Sequence, residues 1–223
     1  VPRQLPVSAK ENGHFAPRGG LPLYLPVNLA EDGALAAFAT TVRLDLDEGG
    51  SDFNKRYIYS RRLNDTTGAL TLLTSRDATL QSLTLAGDGN TVFFIAGNNL
   101  YTVPTTGGGA PEQLLDTSDV SAVASSYNGT VLALVRDGEA WLRQNGEMIK
   151  LGAENNIDKP LLSRDGQTAA FLDSDGNVLV WTAADDAWRN LANDVRHVSM
   201  TLDGCTLYCQ AESDGALSVI TTG

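Results

Sequence analysis

The stretch that decides the fold runs Ser163-Arg164-Asp165-Gly166-Gln167-Thr168, then Ala169-Ala170-Phe171-Leu172, then Ser174-Asp175-Gly176-Asn177, then Val178-Leu179-Val180-Trp181. A glycine turn leads at once into a run that is apolar at successive positions, an Asp-Gly turn follows, and a second apolar run comes after it. Short runs with both faces apolar read as strands buried on both faces. An Asx-Gly pair between two such runs is a strong hairpin signal.

Working outward, the first turn recurs as Glu31-Asp32-Gly33, Gly87-Asp88-Gly89, Tyr127-Asn128-Gly129 and Leu202-Asp203-Gly204. Its glycines are separated by 56, 40, 37 and 38 residues along the chain. A period near 40 signals an array of repeated supersecondary units. Each turn is followed by a strand: Leu35 to Phe38, Val92 to Ile95, Val131 to Val135, and Leu207 to Cys209. The second turn recurs as Gly97-Asn98-Asn99, Arg136-Asp137-Gly138 and Ser213-Asp214-Gly215. Third strands follow at Leu100–Val103, Ala140–Arg143 and Leu217–Ile220. A shorter, more polar strand closes each unit at 69–73, 111–115, 147–151 and 187–191.

Each repeat therefore reads as a four-stranded antiparallel meander, and such sheets stacked face to face make a β-propeller. The expected architecture is all-β: a single five-bladed propeller domain over 1–223, with blades near 22–75, 80–116, 119–152, 157–192 and 196–223. The fifth unit has only three strands. Val1-Pro2-Arg3-Gln4-Leu5-Pro6-Val7 reads like the fourth-strand segment Ala110-Pro111-Glu112-Gln113-Leu114-Leu115, so residues 1–8 are expected to complete the last blade and close the ring. The excess length of the first repeat falls around Thr40 to Lys55, one long loop on the scaffold.

The repeat form resembles the TolB-type propeller repeat, most closely from Gln81 to Val219 and least from Lys10 to Arg56. That resemblance implies a scaffold that binds protein partners, or a gating propeller attached to a hydrolase. It also implies an exported, periplasmic or secreted location. A chain that begins Val1-Pro2-Arg3 is read as either a processed protein or a piece of a longer one. No Trp-Asp dipeptide ends a third strand, which separates the pattern from WD repeats.

Composition narrows the function classes. The 223 residues carry 16 Lys+Arg against 27 Asp+Glu, a net charge of -11 that repels phosphate backbones and anionic membranes. Nucleic acid is not expected as a partner, nor is membrane insertion, since no apolar run approaches the roughly 18 residues of a spanning helix. A monomer with a protein or peptide partner is expected, and carbohydrate is the second partner class.

The segments expected to be innermost are 26–29, 82–85, 121–124, 159–162 and 198–201. A propeller glycosidase needs carboxylates converging from such strands, and none of these segments holds Asp or Glu. A Ser-His-Asp site would have to use His14 or His197, and no Gly-x-Ser-x-Gly elbow is present. No enzyme activity within this chain and no cofactor are expected. Two Cys and two His lack zinc spacing, whereas Asp45, Asp47 and Asp52 around Gly49-Gly50 form a weak calcium candidate. Against an EF-hand loop the twelfth position is Arg56 in place of a bidentate Glu, so a solvated acidic loop is the plainer reading. Thr105-Thr106-Gly107-Gly108-Gly109 reads as a blade turn, not a phosphate cradle.

The expected ligand-binding residues line the channel mouth: Ser82, Thr84, Ser121, Lys159, His197 and Ser199. Cys205 and Cys209 fall four apart in an expected strand, about 13 Å between Cα atoms at ~3.3 Å per residue, too far for a mutual disulfide. Both are expected to be packing residues. Asn64-Asp65-Thr66 and Asn128-Gly129-Thr130 match the glycosylation acceptor pattern. Tyr101, Trp141 and Trp181 fall at or near equivalent third-strand positions, which suits inter-blade packing and also leaves a sugar-stacking platform open.

Overall fold

The computed structural model describes residues 27–41, 43–44, 55–64, 69–76, 80–115, 119–151 and 156–222. Among them every regular element is a strand. Five antiparallel sheets follow one another along the chain, each a meander in sequence order. The first holds β1 (Asn28–Leu29), β2 (Leu35–Thr40), β3 (Arg56–Arg62) and β4 (Leu70–Arg76). The second holds β5 (Leu80–Leu85), β6 (Thr91–Ala96), β7 (Asn99–Pro104) and β8 (Glu112–Gln113). The third holds β9 (Val120–Ser125), β10 (Val131–Arg136), β11 (Glu139–Gln144) and β12 (Glu147–Lys150). The fourth holds β13 (Ile157–Leu162), β14 (Thr168–Asp173), β15 (Val178–Thr182) and β16 (Ala187–Ala192). The fifth has three strands, β17 (Val195–Met200), β18 (Thr206–Ala211) and β19 (Leu217–Thr221).

These are propeller-blade sheets, with the strand count and order that the repeat implies. The chain divides into two compact units, Val1–Ser118 with the first two sheets and Asp119–Gly223 with the other three. The expected closing strand at 1–8, His14, and Asp45, Asp47 and Asp52 of the long loop lie outside the described residues.

The second strands of the first four sheets are buried on both faces along their apolar runs, whereas β18 of the fifth is buried on one. In the second unit, Ala133, Val135, Ala140 and Leu142 on one face of the third sheet pack with Ala169, Phe171, Leu179 and Trp181 of the fourth. The opposite face of the fourth sheet, with Ala170, Leu172, Val178 and Val180, packs with Val195, Val198, Leu207 and Cys209 of the fifth. In the first unit Ala37, Ala39 and Ile58 meet Leu83, Val92 and Phe94. On the other face of the first sheet, among the described residues, Phe38 stacks on Tyr59 and the backbone N–H of buried Leu44 donates to the Tyr59 hydroxyl at 2.8 Å. Tyr101 stacks on Phe94, and Trp181 lies in the core between the third and fourth sheets, the packing role expected of them. Trp141 is half-buried, with the Arg136 guanidinium 5.3 Å from its ring centroid.

Backbone hydrogen bonds hold sheet to sheet at both ends. At the first turns, Glu31 N–H donates to Gly87 O, Tyr127 N–H to Arg164 O, and Arg164 N–H to Leu202 O, over 2.7 to 2.9 Å. At the second turns, Gly138 O accepts from Ile157 N–H and Gly176 O from Val195 N–H, both at 2.9 Å. Gly176 sits at φ +80°, and a Cβ there would lie 3.0 Å from Val195 N and 3.2 Å from Val195 O. Glycine is demanded twice at that position, by the left-handed backbone and by the neighbouring sheet.

Two expectations need correction. The fourth innermost strand begins at Ile157, not at Lys159, so it does carry an acid, Asp158. The strand was read too short because a bulge breaks its alternation of buried and exposed residues. Cys209 is buried as expected, but Cys205 precedes β18 in the bend after Gly204 and is exposed.

Candidate functional site

The bulge recurs at one place in four innermost strands. Registers break between Leu80 and Ser82, between Ile157 and Lys159, and between Val195 and His197, and β9 shifts where Val135 and Arg136 pair with Ala122 and Val120. Gln81, Ser121, Asp158 and Arg196 are left without a cross-strand residue opposite them and are exposed. A bulge re-aims a side chain at the end of a sheet.

The residues expected at the channel mouth divide accordingly. In the first unit Ser82 and Thr84 lie half-buried on β5. In the second, Ser121 on β9, Lys159 on β13, and His197 and Ser199 on β17 are all exposed. Asp158 and Arg196 join them on these strands, so the second-turn end of this unit carries mixed charge. None of the six lines either of the two pockets described next.

The first pocket lies at the other end of the same strands, in the second unit. It has a volume of about 420 Å³ and is lined by Tyr127, Asn128, Thr130, Arg164, Asp165, Leu202 and Asp203. Its geometry follows from the repeat. Tyr127, Arg164 and Leu202 hold the first position of three successive first turns, joined in series by the backbone bonds above, and Asn128, Asp165 and Asp203 hold the second.

Each second-position side chain closes its turn by accepting a backbone N–H two residues on. Thr130 N–H donates to Asn128 Oδ1 at 3.1 Å, Gln167 N–H to Asp165 Oδ1 at 2.9 Å, and Cys205 N–H to Asp203 Oδ1 at 3.0 Å. Hydroxyls reinforce them, Ser163 to Asp165 Oδ1 at 2.7 Å and Thr201 to Asp203 Oδ1 at 2.6 Å. The Thr201 hydroxyl, with the Cys205 amide, holds the Asp203 carboxyl below its ordinary value. The turns are thus tied down before any ligand arrives.

The pocket presents a planar and an apolar element side by side. The Arg164 guanidinium lies 4.1 Å from the Tyr127 ring centroid, and Leu202 is 58% exposed. A smaller pocket of about 350 Å³ in the first unit is lined by Leu35, Ser60, Arg62, Ala69, Thr71, Thr105 and Thr106. Ser60 there donates to Thr105 O at 2.7 Å, tying the Thr105–Gly109 turn to β3. Among the described residues no three His, Cys, Asp or Glu side chains gather as a metal site. Sequence reasoning missed the larger pocket because it treated the first turns as punctuation. The available signal was an aromatic, a guanidinium and a leucine at one repeated turn position.

No protein-family model matches the sequence, and no curated protein matches it. Solved structures do. The chain is similar to TolB from Acinetobacter baumannii, with a TM-score of 0.65 and 17% identity over 89% of this chain and 51% of that one. It is also similar to an oligogalacturonate lyase in complex with manganese, with a TM-score of 0.66 and 13% identity over 88% of this chain and 64% of that one. At such identities the likeness is one of fold, and it agrees with the TolB-type repeat read from the turns. The chain spans about half of the TolB chain and under two thirds of the lyase chain.

Proposed function

We propose that this chain is a non-enzymatic binding module of an exported protein, and that it holds a protein or peptide segment against the first turns of its second unit. The observation that carries this reading is the open pocket lined by Tyr127, Arg164 and Leu202 on turns already fixed by their own hydrogen bonds. A pre-organised, part-apolar concavity binds with little ordering cost. The exposed leucine beside a stacked Tyr–Arg pair is the kind of surface that anchors a side chain. The bulged rim at the opposite end, with Ser121, Lys159 and His197, is a second contact zone on the same scaffold.

Carbohydrate is the alternative partner, favoured by one neighbour's being named for an oligogalacturonate, and an accessory docking role in a larger hydrolase fits the partial span of both neighbours. The Tyr127 ring speaks against sugar stacking at the pocket, since the Arg164 guanidinium already occupies one of its faces.

The test is selection of a displayed random-peptide library on the folded chain, run beside a glycan array. Enriched peptides whose affinity falls about tenfold or more in Leu202→Asp, with the fold retained by circular dichroism, support the reading. Glycans bound at several equivalent sites support a lectin instead. Peptide binding indifferent to both Leu202→Asp and Tyr127→Ala removes the pocket from the proposal.

A further inference from the structure

Register makes the fourth and fifth sheets comparable residue by residue. Thr168 pairs with Thr182 as Thr206 pairs with Thr221, so Ala170, Leu172, Val178 and Val180 correspond to Tyr208, Gln210, Leu217 and Val219. The first four form the face that packs on the next sheet. The corresponding apolar residues of the fifth sheet stand open, with Leu217 80%, Val219 65% and Tyr208 49% exposed. His197 and Ser199 pair with Gln210 and Tyr208 and share that face, whose paired positions carry no Asp, Glu, Lys or Arg although the chain has a net charge of -11; Arg196 stands beside it at the bulge.

Two backbone groups repeat the same relation. Arg164 N–H donates to the next sheet and Gly176 O accepts from it, while their counterparts, Leu202 N–H and Gly215 O, have no partner among the described residues. Gly176 is hemmed in by the following strand, whereas a Cβ on Gly215 would meet nothing nearer than Gln210 Nε2 at 3.8 Å.

From these positions we infer that the open face of the fifth sheet is an acceptor for a further antiparallel sheet of the same blade type. Such a sheet supplies an aliphatic face for Tyr208, Leu217 and Val219. It also supplies a first-turn carbonyl for Leu202 N–H and an innermost-strand N–H for Gly215 O. The interface continues the one already formed between the fourth and fifth sheets. A helix laid along the face has its backbone groups paired in its own ladder except in its first and last turns, so along its length it offers neither group. A second copy presenting the same face would match the apolar residues but neither backbone group, and three apolar side chains fall short of the roughly 800 Å² per partner of a stable dimer.

The test labels Leu217→Cys with a maleimide in a Cys205→Ser background, with Cys209 left as a buried internal reference. In the 223-residue chain the new thiol is expected to react like that of a short peptide. The chain is then extended by a Gly/Ser linker and a second copy of residues 194–222, whose buried face already fits the fourth sheet. Labelling should slow by roughly 30-fold as the tethered sheet docks, the Leu202 amide should exchange more slowly, and Val219→Lys should abolish both effects.

Protection of the thiol in the unextended chain would mean that its own residues cover this face, as in a ring closed at five blades, and would overturn the inference. So would labelling that slows with protein concentration as sedimentation shows dimers. An extended protein whose fourth-sheet amides exchange normally while the introduced thiol labels at the free rate would overturn it as well.

Discussion

The fourth and fifth sheets have the same kinds of turn and a register that matches to within one residue at the second hairpin, yet one is buried on both faces and the other on one. Val178 and Val180 are 0% and 1% exposed, and their counterparts Leu217 and Val219 are among the most exposed apolar side chains described. The repeat fixes what a residue is made to face, and the neighbouring sheet decides whether it is buried. Composition within the repeat therefore reports capacity for packing, and only the neighbour turns that capacity into stability.

The largest expected contrast comes from placing one charge on each sheet. Val180→Lys buries an ammonium with no counter-charge and is expected to cost about 4 kcal/mol, whereas Val219→Lys should stay within about 0.5 kcal/mol. Urea unfolding followed by tryptophan fluorescence suits the measurement, because Trp141, Trp181 and Trp188 all belong to the second unit. Equal losses in the two variants would show that the fifth sheet's open face is covered in solution.

The two second-turn glycines sharpen the point. Both lie at positive φ, +80° at Gly176 and +72° at Gly215, so alanine strains either one by about 1–2 kcal/mol. Only at Gly176 does the added Cβ also run into the backbone of Val195. Gly176→Ala is expected to cost about 3 kcal/mol and Gly215→Ala about 1 kcal/mol in the same unfolding assay. A Gly215→Ala cost as large as that of Gly176→Ala would place a neighbour where none is seen.

These contrasts also mark how far the sequence could be read. Asx-Gly turns and runs such as Val131–Val135 determine strand and hairpin through local sterics and burial, so the meanders were legible to within about three residues. Asp158 was hidden because the bulge before Lys159 breaks the period on which strand starts are judged. The pocket was hidden because Tyr127, Arg164 and Leu202 are far apart in sequence and meet only when their sheets stack. Leu217 and Val219 read as a third strand like those of the other sheets, because nothing local distinguishes an apolar residue with a neighbour from one without.

The two cysteines give the next contrast within the fifth sheet. Cys209 is buried against the fourth sheet, and that burial pushes its thiol above the ordinary value, while Cys205 is exposed in the turn before β18. A thiol reagent at neutral pH is expected to modify one cysteine promptly and the other at least ~100-fold more slowly, in step with opening of the sheet. Mass mapping should place the prompt adduct on Cys205. Prompt loss of both thiols would show that the fourth and fifth sheets separate readily.

The smallest effect concerns the turn between the packed and open parts of that sheet. Asp203 ionises below its ordinary range because the Thr201 hydroxyl and the Cys205 amide both donate to its carboxylate in the folded turn. A depressed folded value means that the carboxylate favours the folded state above the unfolded pKa of about 3.9, and that this preference is lost as the pH falls through the lower folded value. Thr201→Val removes the larger of the two donors. The Asp203 midpoint, followed by carboxyl NMR shifts, should rise toward about 3.9, and the acid limb of unfolding should start at slightly higher pH. A midpoint for Asp203 that ignores Thr201→Val would mean that the hydroxyl bonds elsewhere in solution, and that the pocket's turns are less firmly tied than their geometry implies.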